Sequence, residues 1–109
     1  MRWYRHLKAR LTLARAVELA DRRWAKNGER YYVMPYGVKL YIICRREFKK
    51  MKTAGLINVN AKVRDLDIEC FYATPYCDGV KGKYNDEILK LKRKQWIDYC
   101  DEMHRRKKG

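Results

Sequence analysis

Three acidic side chains at alternate positions, Asp65, Asp67 and Glu69, stand next to Cys70. On a β-strand that spacing puts all three carboxylates on one face, the convergence that a divalent-metal nuclease needs, and Asp78 or Asp86 could then join them. On a helix Asp67 points roughly 160° away from its neighbours, and the trio is only a solvated acidic edge on a basic protein. The two histidines, His6 and His104, have no carboxylate or cysteine arranged around them in sequence, and the chain has no serine. A serine nucleophile is therefore excluded, and no general base is built locally. Cys44, Cys70, Cys77 and Cys100 match neither the short paired spacing of zinc sites nor a dense disulfide framework. Free thiols in a reducing cytoplasm are the simple reading, with a Cys70/Cys77 metal pair completed by Cys100 or His104 as the alternative. No enzyme, no catalytic residue and no cofactor are expected.

Binding chemistry is better represented. The 109 residues carry 27 Lys plus Arg against 13 Asp plus Glu, a formal charge of +14. The surplus is concentrated in residues 1–57, where 15 basic side chains meet 4 acidic ones. At 100° per residue, Arg5, Lys8, Arg15, Arg22 and Lys26 fall within an arc of roughly 100°, a stripe about 27 Å long from Lys8 to Lys26. Such a stripe either meets several phosphates of a nucleic acid or is a solvated face; only Glu18 and Asp21 dilute it. Tyr31, Tyr32, Tyr36 and Tyr41 lie beside Arg30, Lys39, Arg45 and Arg46, so Tyr32 or Tyr41 could stack an unpaired base, although tyrosines of a half-buried sheet usually pack. Gly79-Val80-Lys81-Gly82, followed by Lys83, resembles the loop with which KH domains clamp a nucleic-acid backbone, and the resemblance implies phosphate contact near Lys81 and Lys83. A generic flexible turn is the competing reading. The same stretch is too short for a P-loop.

These residues need elements to hold them. Trp3 to Lys26 has no Gly or Pro and repeats Leu7, Leu11, Ala14, Val17 and Trp24 at helical intervals before Asn27-Gly28 ends it. Tyr31 to Met34 and Val38 to Cys44, joined by Pro35-Tyr36-Gly37, read as a β-hairpin with Val38, Leu40 and Ile42 on one face. Arg46 to Ala54 reads as a short helix with Phe48 and Met51 inward, ended by Gly55. Leu56 to Val59 fits a third strand. Asn60 can cap a helix running towards Ala73, with Val63, Leu66 and Cys70 on one side; a strand at Ile68 to Thr74 competes. After a loop, Asp86 caps a last helix that buries Leu89, Trp96, Tyr99, Cys100 and Met103, its charges largely paired at i, i+4 spacing, its tail at 104–109 free to fray.

The expectation is one α+β domain over residues 1–109, a small antiparallel sheet packed on long N- and C-terminal helices, with a mostly helical bundle as the alternative. No apolar run is long enough to span a membrane, and no signal-peptide centre is present, which points to the cytoplasm. The strings Tyr-Val-Met-Pro-Tyr-Gly at 32–37, Arg45-Arg46-Glu47-Phe48, Gly55-Leu56-Ile57 and Glu69 to Tyr76 resemble short uncharacterised basic proteins of gut-bacterial genomes and their phages or mobile elements. That group brings no activity and no site residue with it. Two functions remain open: a non-enzymatic nucleic-acid-binding accessory protein with weak sequence preference, or a phage or mobile-element assembly component. In the second, Trp3, Trp24 and Trp96 would help form an interface with an acidic partner or a second copy.

Overall fold

The computed structural model describes residues 2–36, 39–55, 60–76 and 78–108. Helix α1 spans Arg2–Asn27 without a break. It ends at Gly28, which takes a φ of 73° and donates its N–H to the Trp24 carbonyl at 2.7 Å. Strands β1 (Tyr31–Tyr36) and β2 (Lys39–Cys44) pair antiparallel with Tyr31 opposite Cys44, as the hairpin reading expects. Helix α2 (Arg45–Thr53) follows β2 with no connecting loop and ends before Gly55, at φ 79°. Then come α3 (Val63–Glu69), β3 (Tyr72–Ala73) and α4 (Asp86–Lys108). The sheet order is β2-β1-β3, all antiparallel. The expected strand at Leu56 to Val59 lies outside the described residues, as does Val38.

Between Val63 and Ala73 the helix and strand readings each hold for part of the segment. The helix starts at Val63 rather than directly after Asn60, with the Asp65 carboxylate accepting the Lys62 N–H at 2.8 Å. It stops at Glu69 because β1 has a second edge whose buried polar groups need partners. Phe71 donates its N–H to Val33 O, Thr74 donates to Tyr31 O, and Tyr31 in turn donates to Thr74 Oγ1 at 2.7 Å. A helix continued to Ala73 would leave that edge unpaired. At α4 the cap is Asn85, one residue before Asp86: its side-chain oxygen accepts the Ile88 N–H at 2.8 Å. Helical backbone continues to Lys108, through the segment expected to fray.

Both faces of the sheet are covered. On one, Tyr31, Val33 and Cys44 meet Ala9, Leu13 and Ala20 of α1 and Trp96 and Ile97 of α4. On the other, Tyr32 and Ile43 meet Phe48 of α2, Leu66 of α3 and Cys70. The face that α1 buries is rotated from the one its leucines suggest: Leu7, Leu11 and Ala14 are exposed, while Ala9, Leu13 and Ala20 are buried. The fully buried Trp96 packs against that face. Its indole N–H donates to the Ala9 carbonyl at 2.9 Å, which the small Ala9 side chain lets it approach.

Candidate nucleic-acid interface

A cleft of about 810 Å³ opens between the end of α1, the start of β1, α2, α3 and Tyr76. Its wall carries Arg30, Arg45, Arg46, Lys49, Lys50 and Arg64 against two carboxylates, Glu29 and Asp67. Helix α2 places four of these cations. With Phe48 buried and Met51 packed beneath it, Arg45, Arg46, Lys49 and Lys50 must occupy the opposite arc, about 140° wide at 100° per residue. β2 runs straight into α2, and Cys44 makes no side-chain cap to its first turn; the Cys44 thiol instead donates to the carboxylate of Glu47 in that turn at 3.5 Å. Both carboxylates are already paired to cleft cations: Glu29 with Arg46 at 3.3 Å, and Asp67 with Arg30 at 2.9 Å.

Arg30 is the most enclosed of the six, its side chain only 10% exposed. The guanidinium lies 4.2 Å from the ring centroid of Tyr76 and 5.4 Å from that of Tyr32. Gly82, at φ 76°, backs onto it; a Cβ there would collide with the Arg30 Nη1. Nε and Nη1 of Arg30 have no hydrogen-bond partner among the described residues.

The expected stacking residues fare differently from their surroundings. Tyr32 is 3% exposed, because the sheet face it occupies is covered by α2 and α3, and it forms cleft wall instead of a platform for a base. Burial, with the nearby Asp67 charge adding to it, pushes its phenol up to about 12. Tyr41 packs at the margin of the same cluster. The exposed aromatic at the cleft is Tyr76, at 46%. Only its pairing with Arg30, far away in sequence, singles it out.

Of the α1 stripe, Lys8, Arg15, Arg22 and Lys26 are exposed, and Arg22 is hydrogen-bonded to Glu18 at 2.6 Å. Arg5 is half-buried and faces Asp101 of α4 at 3.7 Å, where His6 Nε2 also lies 2.8 Å from the carboxylate. These two side chains tie α1 to α4. That carboxylate beside His6 comes from the far end of the chain, out of reach of any local spacing.

Lys81 and Lys83 are exposed on the loop after β3. The KH-like clamp does not form there. Asp78 accepts the N–H groups of both Val80 and Lys81 at 2.9 Å, and the loop follows a strand where a KH loop joins two helices. Its glycines make turns, and Gly82 makes room for Arg30. The acidic trio lies on α3, where Asp65 holds the helix start and Asp67 holds Arg30. Among the described residues no three Cys, His, Asp or Glu side chains converge on a metal position. Cys44, Cys70 and Cys100 are free thiols, and the metal pair that needs Cys77 lies outside the described residues.

No protein-family model matches the chain, and no curated protein or solved structure matches it. No helix among the described residues is long and apolar enough to cross a membrane.

Proposed function

We propose that the protein is a non-enzymatic nucleic-acid-binding accessory protein of weak sequence preference, working in the cytoplasm, and that the cleft under α2 is its principal contact. The observation that carries this reading is the cleft wall, six cations around two carboxylates that are each already paired, which leaves a net surplus of positive charge in a concave site. Polyanions release counterions on reaching such a surface, and concavity raises the local potential. Lys8, Arg15, Arg22 and Lys26 extend the positive surface along α1, and Lys26 stands two residues before Gly28, itself part of the cleft wall. Free thiols at Cys44, Cys70 and Cys100 suit a reducing compartment. Binding of labelled oligonucleotides, followed by anisotropy over a salt series, tests the reading. Neutralising about five phosphates gives a slope of log K against log salt of roughly −4 to −5 on a duplex. Affinity that does not change with salt sinks it.

One observation favours an assembly role in a phage or mobile element. Trp3 is 65% exposed and, with Tyr4, Leu7 and Leu11, forms an apolar edge on α1. A stable homo-oligomer in light scattering, with no affinity for DNA or RNA, would put this reading in place of the first.

A further inference from the structure

We infer that the cleft selects unpaired strands, the exposed α2 cations Arg45, Lys49 and Lys50 meeting one backbone phosphate while the neighbouring base stacks on Tyr76. This rests on the nucleic-acid reading above and narrows it. At about 810 Å³ the cleft has the size of a small-ligand site, the scale of one or two nucleotides. A duplex offers such a site only a convex ridge of phosphates, because its bases are stacked inside; a single strand can turn a base outward.

Three groups in the cleft suit the two halves of a nucleotide. Arg30 is nine-tenths buried, its Nη2 bonded to Asp67 and its Nη1 against Gly82, so it fixes the cleft wall and the Tyr76 ring instead of reaching the strand itself. Arg45, Lys49 and Lys50 are exposed on the same wall, and an anionic oxygen is the acceptor such cations bind best. The first turn of α2, with no side-chain cap at Cys44, lines the same cleft through Arg45 and Arg46. Tyr76 keeps nearly half of its surface exposed while the Arg30 guanidinium, 4.2 Å from its centroid, pins the ring. A ring already held in place gives up little further freedom when a base stacks on it.

The test compares three fluorescein-labelled probes at one salt concentration: a twelve-nucleotide oligo-dT, a twelve-nucleotide oligo-U, and a DNA hairpin carrying the same number of phosphates. Both single strands should bind about tenfold more tightly than the hairpin, and Tyr76→Leu should lower the single-strand to hairpin ratio about tenfold, whereas Tyr76→Phe should keep it. A thermal melt shows whether each variant is folded. Should Tyr76→Leu not fold, the wild-type ratio and Tyr76→Phe decide. A hairpin bound as tightly as the single strands, or a ratio indifferent to Tyr76→Leu in a folded protein, overturns the inference. If Lys49→Glu with Lys50→Glu still removes binding in that case, the broader nucleic-acid reading stands. No salt-dependent binding to any of the three probes overturns both.

Discussion

The stripe on α1 and the cleft under α2 carry the same kind of charge on opposite curvatures. Lys8, Arg15 and Lys26 stand in open solvent, where a unit charge pair at 4 Å is worth about 1 kcal/mol and salt screens it further. Cleft cations face one another across a shared cavity, and Arg30 is almost wholly removed from water. Holding it there requires Asp67 and the rings of Tyr32 and Tyr76, so Arg30 shapes the wall while the exposed cations of α2 offer an incoming phosphate their charge across a concave surface. Five cations on the stripe and six around the cleft thus make unequal sites for a reason other than number. Curvature and burial decide between them.

The largest expected effect removes both surfaces at once. Burial raises the phenols of Tyr32, Tyr72 and Tyr84 and the thiols of Cys70 and Cys100, with Cys100 pushed up from 9 to about 11 and Tyr32 from 10 to about 12. In that window the unfolded chain has released protons that the folded chain still holds, so stability is unaffected below pH 9 and falls as pH climbs towards 12. Chemical denaturation at pH 8, 10 and 11 should show a declining midpoint. A flat profile would mean that these groups are not buried as described.

Below pH 9 the two regions can be separated. Lys49→Glu with Lys50→Glu, both exposed on α2 and away from Phe48, should weaken oligonucleotide binding about a hundredfold at low salt and flatten the salt slope by about 2 or more. Arg15→Ala with Arg22→Ala should flatten it by about 2 if the stripe contacts phosphate fully. Because Arg22 is already paired with Glu18, a value nearer 1 and an affinity loss below tenfold are expected. A larger loss from the α1 pair than from the α2 pair would reverse the ranking of the two sites.

A subtler change acts on the cleft without touching a charge. Gly82→Ala forces a side chain onto a φ of 76° and against Arg30 and the Tyr76 ring. It should cost about 1 kcal/mol or somewhat more, seen as a melting temperature lower by about 4–8 °C. Single-strand affinity should fall severalfold through the displaced guanidinium. An unchanged affinity would mean that Arg30 does not hold the Tyr76 ring for the strand. Smallest of all, no histidine lines the cleft, so affinity should vary by less than about twofold between pH 6 and 8.

Much of this architecture could be read locally. The absence of Gly and Pro from residues 2–27, the β-branched and aromatic runs around Pro35-Tyr36-Gly37, and the Phe48/Met51 spacing depend on backbone preference and period, which neighbouring residues set among themselves. The basic stripe on α1 followed from the same periodicity, whereas Lys49, Lys50 and Arg64 were not singled out by it and emerge as a group only around the cleft. Long-range packing determined the rest. Period shows that α1 is amphipathic, but packing against the sheet and α4, with Trp96 bonded to the Ala9 carbonyl, put Ala9, Leu13 and Ala20 in the core and left Leu7 and Leu11 outside. The open edge of β1 ended α3 at Glu69, and coverage of the second sheet face buried Tyr32. The cleft itself exists only because Arg30, Arg46, Asp67 and Tyr76, which no local spacing relates, are brought together when α2 and α3 close over that face. Such contacts form between side chains far apart along the chain, so their partners are chosen by shape and burial in three dimensions, which no local pattern encodes.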